Sequence, residues 1–363
     1  MICLNMIVKN GVADNIQRCL KSVKPYIDYY LISDTGSTDN TEEVIKECLE
    51  GIDGEIFHHK WKNFGHNREL ILQEAYKRDI DYCLFIDADE ELFVNNGAFK
   101  NLTADSYLIE KHTANRTAKF SFPCLVNIKN VEWHWCGVVH NQLNGNPKSV
   151  HRFDGYIQGH LGKGGKSDGL SSQVEKVKRD IKLLKRELKK DPDNSSHVFF
   201  LAQSYRAAGE LEKAHDLYLK RIGMGGNEQE IYWSMLVAAI IRKELDGDFP
   251  MGKFLLAYNY RPSRKEALCE VAAYCNQNGL YPLAYMVART GYEIPKSKDT
   301  MFVTMPVEDW RMADELAAAS FGTKRYQESK DLYDELLSSG KLPEDQTERI
   351  ERNRKLAKEK CQQ

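Results

Sequence analysis

Two aspartates stand one residue apart directly after an apolar segment of the sequence. The run YCLFI (82–86) has the composition of a buried strand, and Asp87 and Asp89 follow it within the segment DADEE. Two carboxylates on a tight turn can bind a hard divalent cation, because Mg²⁺ and Mn²⁺ prefer oxygen ligands and often bridge a protein to a phosphate. Solvated acidic loops show the same spacing, so this motif alone leaves both interpretations open.

Polar residues also follow the first two apolar segments of the chain. Lys9 and Asn10 come after ICLNMIV (2–8), and Asp34 comes after YYLIS (29–33), just before the glycine and helix-capping residues of TGSTDNT. Ligands of open parallel sheets bind beyond the carboxyl ends of the strands. We therefore expect these three side chains to face the same ligand as the acidic turn.

The spacing of apolar residues in the first half predicts alternating strands and helices. The predicted strands are 2–8, 29–33, 54–59 and 81–86, and the predicted helices are 14–23, 37–49 and 67–78. This alternation is typical of an α/β fold with a mostly parallel, doubly wound sheet. The last of these strands has few polar positions, as expected when both faces of the sheet are covered.

After about residue 170 the pattern becomes one of amphipathic helices. Three segments share one plan, a helix, a turn and a second helix; they are 198–222, 267–295 and 313–343. These helix pairs resemble tetratricopeptide repeats, and an ordinary helical bundle is the alternative. The change in pattern predicts an α/β domain over 1–168 and an all-α, tetratricopeptide-like domain over 169–363.

Four motifs together resemble the family 2 glycosyltransferases. They are MIVKN, LISDTGSTDNT, WKNFGHNREL and FIDADEEL, and they occur in the family's order within roughly residues 1–165. The resemblance implies the GT-A fold, a Rossmann-like nucleotide-sugar-binding domain, here followed by helical repeats as in some bacterial and viral relatives. It also implies transfer of a sugar from a nucleotide diphosphate sugar, most often a UDP-sugar, usually with inversion and usually with Mn²⁺ or Mg²⁺.

The resemblance assigns roles to individual residues. Asp34 would hold the nucleoside, Asp87 the ribose or a metal-bound water, and Asp89 the metal, while Arg68 would contact a phosphate. The full cofactor-binding set that we predict is Lys9, Asn10, Asp34, Asn67, Arg68, Asp87 and Lys163.

A histidine is expected to complete the metal site formed by the two aspartates of the acidic turn. His160 lies in YIQGHLGKGGKS, which resembles the segment that closes the donor site in relatives, and it is our first choice, with His140 second. Lys163 in the same glycine-rich segment can cover a diphosphate. Either histidine is equally well explained as a structural hydrogen-bonding residue.

One segment departs from the family. VEWHWCGVVHNQL (131–143) resembles a stretch that ends in Val-His-Glu in relatives, and here Asn141 takes the place of the Glu. An amide cannot accept a proton from the acceptor, so another group must serve as general base. The candidates are Glu132, Glu90 and Asp154, unless the acceptor is a group, such as a thiolate, that needs little help.

Composition narrows the class of protein further. The chain has 51 Lys and Arg against 53 Asp and Glu, so its bulk charge gives no reason to expect a nucleic-acid partner. Nine scattered cysteines with no C-x-x-C pair indicate reduced thiols, and no apolar run approaches the roughly 18 residues that cross a bilayer. These features predict a cytoplasmic protein.

Three hypotheses follow from these patterns. The first is a metal-dependent glycosyltransferase that acts on a glycan, peptide or lipid-linked acceptor, with the helical domain used for acceptor recognition or for homodimerisation. The second, motivated by Asn141, is a catalytically inert nucleotide-sugar-binding scaffold that acts through its helical repeats. The third is a nucleotidyltransferase, which is disfavoured because VKNGVADN lacks the glycine- and Arg/Lys-rich character of a triphosphate loop.

Overall fold

The computed structural model of the chain describes residues 1–95, 97–137, 139, 141–160 and 173–362. These residues form two compact units, Met1–Lys189 and Lys190–Gln363. The division falls at the end of a helix, α4 (Gln173–Lys190), which groups with the first unit except for its last residue.

The first unit is built on one mixed sheet. Its strands in chain order are β1 (Ile2–Val8), β2 (Tyr29–Asp34), β3 (Asp53–His58), β4 (Tyr82–Leu84), β5 (Glu90–Val94), β6 (Ser106–His112), β7 (Ala118–Asn127), β8 (His134–Cys136), β9 (Gln142–Asn144) and β10 (Val150–Gly159). The sheet has the order β3-β2-β1-β4-β7-β6-β10-β5, and β8 and β9 form a separate antiparallel pair.

The predicted α/β fold is confirmed, and its parallel part is the part that the sequence pattern indicated. Strands β3, β2, β1 and β4 run parallel to one another. Beyond them, β7 is antiparallel to both of its neighbours, and β5 is antiparallel to β10. This second half was not expected, because short strands joined by irregular loops carry no helical spacing that would reveal them.

Helices cover the two faces of the parallel half. They are α1 (Ile16–Val23), α2 (Thr41–Cys48) and α3 (Phe64–Tyr76). One apolar core includes buried residues of α1 and α2, such as Leu20 and Ile45, and a second core on the other face includes Ile71 of α3 and Trp135 of β8. A sheet covered on both faces explains why β1 and β4 are almost wholly apolar.

The second unit is mainly helical. Its helices are α5 (Ser195–Ala207), α6 (Leu211–Gly223), α7 (Glu228–Asp246), α8 (Met251–Tyr260), α9 (Glu266–Gln277), α10 (Tyr281–Glu293), α11 (Met312–Gly322), α12 (Tyr326–Ser338) and α13 (Glu344–Cys361). Each of these helices packs against the next one in the chain. In the described part of the chain, no helix is long and apolar enough to cross a membrane.

Three helix pairs end their first helix in the same way. Gly209, Gly279 and Lys324 adopt left-handed backbone conformations between α5 and α6, α9 and α10, and α11 and α12. In each turn the next residue donates its N–H to a carbonyl five residues earlier; the bonds are Glu210 to Tyr205 (3.0 Å), Leu280 to Cys275 (2.9 Å) and Arg325 to Ser320 (2.8 Å). This Schellman-type ending marks the three predicted repeats. The pair α7–α8, which the sequence analysis did not identify, has a different turn at Gly247.

A buried arginine holds together the middle of the helical unit. Arg264 is fully buried and pairs with Glu266 (2.6 Å) and Asp299 (3.1 Å). It also donates to the carbonyl oxygen of Phe302 (2.9 Å), and its guanidinium lies 4.7 Å from the ring centre of Tyr232. The segment RPSRKEA (261–267), which contains Arg264, therefore has a structural role.

We expect Arg264→Ala to lower the free energy of unfolding by about 3–5 kcal/mol, because the buried Glu266 would lose its cation and Asp299 would keep only Arg261. Urea denaturation followed by circular dichroism measures this loss. Arg242→Ala is the control, since Arg242 forms an exposed pair with Asp246 (2.6 Å) on α7 and should change stability much less. Equal losses in the two variants would contradict the structural role of Arg264.

Candidate active site

The strand register brings the predicted residues to one edge of the sheet. In the parallel ladders Val8 lies opposite Asp34, and Leu4 lies opposite Leu84. When the β1–β4 ladder is extended by three residues beyond the pair of Leu4 and Leu84, Asp87 lies level with Ile7. Asp34 and Asp87 therefore flank the end of β1, and two strand spacings separate their backbones by about 10 Å.

The Asp34 carboxylate shapes the turn that follows β2. Its Oδ1 accepts hydrogen bonds from the backbone N–H groups of Gly36 (2.8 Å) and Ser37 (2.7 Å). Gly36 has a φ of 108°, a conformation that favours glycine. Within the described ranges no hydrogen bond reaches Oδ2 of Asp34, which leaves this oxygen for a ligand although the residue as a whole is buried.

Asn10 joins the loop after β1 to the loop after β2. Its Oδ1 accepts from the N–H of Thr38 (2.8 Å), and its own N–H donates to Oγ of Ser37 (2.8 Å). The first bond occupies the side-chain oxygen, and the two together favour a positioning role for Asn10. Lys9 beside it is half-buried, and no ion pair involves it among the residues that are described.

Asn67 likewise has its polar atoms occupied. It is fully buried; its Oδ1 accepts from the N–H of Lys62 (3.0 Å) and its Nδ2 donates to the carbonyl oxygen of Lys60 (3.2 Å). This arrangement disfavours the predicted contact with a cofactor. Asn67 holds the loop that leads into α3, and the helix presents Arg68 at the next position.

The acidic turn is closed by its own hydrogen bonds. The N–H of Asp87 donates to Oε2 of Glu90 (3.0 Å), and the N–H of Glu90 donates to the carbonyl oxygen of Asp87 (3.0 Å). The thiol of Cys19 donates to the same carbonyl (3.3 Å). The carbonyl oxygen of Asp89 accepts from the N–H of His160 (2.9 Å), so the predicted third metal residue lies beside the turn.

Two cations balance the two acids at the ends of this turn. Arg68 Nη2 lies 2.5 Å from Asp87 Oδ1, and Lys111 Nζ lies 2.6 Å from Glu90 Oε1. Burial raises the pKa of Asp87, but the charges of Arg68 and Lys111 outweigh it and hold this pKa below its usual value. Burial and the Asp87 charge raise the pKa of Glu90 in spite of Lys111. We call these four residues the charge cluster.

Lys111 is a residue that the sequence analysis missed. It lies within β6, far along the chain from the recognised motifs. Because its neighbours Glu110 and His112 are also polar, the segment looks like a solvent-exposed edge of the sheet. A lysine within a strand whose other residues are largely buried was the available signal. Glu69 was also missed: its Oε2 accepts from the N–H of Trp135 (2.7 Å) and thereby fastens β8 to α3.

The described residues can bind a divalent cation only if a bound ligand supplies further oxygen atoms. Nε2 of His160 lies 3.0 Å from Oε2 of Glu91, so this imidazole is engaged by a carboxylate. His140 and Lys163 lie outside the described residues. Across the described ranges, no three carboxylate, imidazole or thiol groups converge on one point. Asp87, whose side chain is 41% exposed, and Asp89 would thus share a cation with oxygens of a bound diphosphate.

The three candidate bases differ in their position. Glu90 is committed to Lys111 and to the acidic turn. Asp154 is exposed and accepts from Asn95 Nδ2 (2.5 Å) at the far end of β5. Because Gly159 pairs with Glu90 in the antiparallel ladder, Asp154 lies about 17 Å along β10 from the acidic turn, which disfavours it as the base.

Glu132 is the candidate that remains accessible near the site. Its side chain is 78% exposed, and its Oε1 lies 3.3 Å from Nε2 of His134. The hydrogen bond to Glu69 raises the pKa of His134, since Nδ1 of this imidazole lies 3.1 Å from Oε1 of Glu69. Trp135, one residue further, places its ring centre 4.8 Å from the Arg68 guanidinium.

Asn141 lies against the start of α3. Its Nδ2 donates to the carbonyl oxygen of Gly137 (2.7 Å). A Cβ at Gly65 would approach that carbonyl to 2.6 Å, so only glycine allows the helix and this loop to come so close. The amide at position 141 therefore has a structural use.

Lys111→Met tests the charge cluster. We expect the variant to lose about 3–5 kcal/mol of unfolding free energy at pH 8, where Asp87 and Glu90 would be charged without their lysine. Removal of the lysine raises the pKa of Glu90 further in the folded state. A carboxyl with a raised folded pKa stabilises the protein at low pH and loses that contribution as pH rises, so the deficit should be smaller at pH 5.

Urea titrations at pH 5 and pH 8 measure the two deficits. Lys129→Met is the control, because Lys129 pairs with Asp79 and Asp81 at an exposed position and its loss should have a small effect that is similar at both pH values. A Lys111→Met deficit that does not change with pH would refute this account of the cluster.

Comparison with known proteins agrees with the resemblance of the motifs. Residues 3–96 match the family model described as "Glycosyl transferase family 2". The SPbeta prophage-derived glycosyltransferase SunS of Bacillus subtilis (strain 168) is 29% identical over 233 residues, which is 61% of this chain and 52% of that protein. The chain thus spans about half the length of the first curated relatives that it matches.

Solved structures show more distant likeness. The structure of S. aureus TarS 1-349 in complex with UDP has a TM-score of 0.36 and 12% identity, covering 72% of this chain and 91% of that one. A tetratricopeptide repeat protein from Parabacteroides merdae has a TM-score of 0.37 and 18% identity, covering 52% of this chain and 72% of that one. The N-terminal part of this chain, which contains the four ordered motifs, thus carries a match to the glycosyl transferase family 2 domain over residues 3–96.

Proposed function

We propose that this protein transfers a sugar from a nucleotide diphosphate sugar, with a UDP-sugar as the first candidate, to an acceptor. The observation that carries the proposal is the shared edge, where Asp34 and the acidic turn flank the end of β1 and Arg68 lies beside them. Such an edge offers a carboxylate oxygen to a nucleoside and cationic groups to a diphosphate.

We assign each part of the donor to a residue of suitable charge. Oδ2 of Asp34 would accept a hydrogen bond from the nucleoside, and the guanidinium of Arg68 would contact the diphosphate. Lys9 would add a second positive charge at the same edge. A Mn²⁺ or Mg²⁺ ion held by Asp87 and Asp89 would neutralise charge that develops on the departing diphosphate.

The transfer step is a substitution at the anomeric carbon. The bond between this carbon and the diphosphate oxygen breaks, and the diphosphate leaves with the electron pair. A bond from the acceptor nucleophile to the carbon forms on the opposite face, which inverts the configuration. The acceptor proton passes to a base, for which we propose Glu132 because it is exposed and close to the strand that contacts Arg68.

The helical repeats are proposed to recognise the acceptor or to form a homodimer, and a glycan, a peptide or a lipid-linked sugar can serve as acceptor.

A second function, that of an inert nucleotide-sugar-binding scaffold, is favoured by one observation. Asn141 is bonded to Gly137, so no carboxylate stands where relatives have their Glu.

Hydrolysis of donor sugars tests the proposal. We expect purified protein with Mn²⁺ to hydrolyse at least one member of a panel of nucleotide sugars slowly, and Asp89→Asn to lower this rate by about 100-fold or more. Asp53→Asn is the control, because Asp53 begins β3 at the opposite edge of the sheet and is exposed.

The outcomes separate the two functions. Equal rates in wild type and Asp89→Asn would refute the assigned site. Calorimetric binding of UDP without turnover, in the presence of glycan, peptide and lipid-linked acceptors, would favour the scaffold. An absence of both binding and turnover across the panel would refute both functions.

Metal removal provides a further prediction. We expect dialysis against EDTA to abolish donor hydrolysis and to weaken UDP binding measured by calorimetry, because Asp87 and Asp89 would then repel the diphosphate. Addition of Mn²⁺ or Mg²⁺ should restore both. Full hydrolysis after EDTA treatment would show that Arg68 and Lys9 suffice without a metal ion.

A further inference from the structure

A small cavity lies directly beneath the proposed donor edge. It has a volume of about 30 Å³ and is bounded by Arg68 and Asp87 at the edge and by Asn5, Trp135 and Lys111 below. Asn5 lies two residues before Ile7 on β1, so the floor is about 7 Å below the level of Asp87. The cavity therefore opens from the residues that would hold the donor.

Two residues that line the cavity each carry a buried polar atom that lacks a partner in the described part of the chain. Asn5 is 3% exposed and Trp135 is 7% exposed. Nδ2 of Asn5 donates to the carbonyl oxygen of Ile71 (3.0 Å), which orients the amide. Neither Oδ1 of Asn5 nor Nε1 of Trp135 bonds to any residue within the described part of the chain. Buried polar atoms without partners are rare in native proteins and call for a ligand or a water.

The two atoms have opposite hydrogen-bonding character. Oδ1 of Asn5 can only accept, and Nε1 of Trp135 can only donate. A hydroxyl group satisfies both at once, because it donates one hydrogen bond and accepts others. A phosphate oxygen would leave the Asn5 oxygen facing another acceptor, and an ammonium would leave the indole N–H facing another donor.

The volume limits the size of the group. A water-sized group needs about 10–15 Å³ by this measure, so the cavity has room for about two or three such groups. A hydroxyl or a hydroxymethyl, with one or two heavy atoms, fits. An acetamido group, with four heavy atoms, does not.

We propose that this cavity is a subsite for the substituent at C2 of the donor sugar, where it admits a hydroxyl group and excludes an N-acetyl group. The group donates to Oδ1 of Asn5 and accepts from Nε1 of Trp135, and it displaces water that satisfies the same atoms before binding. The inference rests on the proposed function and deepens it, since it assigns the donor to the unsubstituted hexoses.

Binding to UDP, UDP-glucose and UDP-N-acetylglucosamine tests the subsite by calorimetry with Mn²⁺ present. Wild type should bind UDP-glucose at least about tenfold more tightly than UDP-N-acetylglucosamine. Trp135→Phe removes the indole N–H and should weaken UDP-glucose by about three- to tenfold, while UDP binding stays unchanged. Trp133→Phe is the matched control, because Nε1 of Trp133 donates to the carbonyl oxygen of Asn127 (3.0 Å) away from this cavity.

A second variant tests the size limit by a gain of binding. Phe122 lines the cavity, and Phe122→Ala should enlarge it enough to bring UDP-N-acetylglucosamine affinity within about threefold of that for UDP-glucose. Circular dichroism and UDP binding verify that this variant is folded, and unchanged discrimination in the folded variant would count against the subsite.

Several results would overturn the subsite and leave the proposed function intact. Equal wild-type affinities for the two sugars would mean that the cavity holds water only. If Trp135→Phe lowered the affinities for UDP and UDP-glucose equally, the substitution would act through Arg68, which the indole ring contacts, and not through the cavity. Wild type that binds none of the three compounds would instead count against the UDP-sugar donor itself.

Discussion

The candidate site depends on the balance of charge in the charge cluster. Asp87 and Glu90 lie at the two ends of one tight turn, and two hydrogen bonds between them hold the turn closed. Arg68 comes from a helix on one face of the sheet, and Lys111 comes from β6, two positions from β4 in the sheet, so tertiary contacts supply both cations. Removal of either would leave a partly buried carboxylate without its nearest cation, which is strongly destabilising.

The loops around this cluster are held by one another before any ligand binds. Asn10 connects the loops after β1 and β2, and Asp34 closes the second loop onto its own backbone. Asn67 fixes the entry to α3. A ligand that meets such an edge does not have to order it, so more of its interaction energy is retained as affinity.

The helical unit is stabilised by a different principle. Three of its helix pairs share one turn, in which a left-handed residue is followed by a residue whose N–H donates to a carbonyl five residues earlier. Lys324 adopts this conformation where Gly209 and Gly279 do so in the other pairs, which explains why the repeat is hard to see as a glycine pattern. Long-range bonds such as those of Arg264 then fasten the repeats to the segment around Asp299.

The sequence by itself determined the order and type of the elements in the parallel half of the sheet and in three helix pairs. Apolar spacing predicted the parallel strands, the helices that connect them and three helix pairs, because this spacing reflects which side of each element is buried. The strand-terminal positions of Asp34 and Asp87 followed from the same pattern, since parallel strands share their carboxyl edge.

Only the tertiary structure decided which groups meet. Lys111 enters the site from the middle of β6, Asn67 turns inward to hold a loop, and Asp154 lies at the far end of β10. The cavity beneath the edge exists because Asn5 and Trp135, 130 positions apart in the chain, line the same space. Strand pairing and packing between distant segments set these contacts, and no local pattern of residues encodes them.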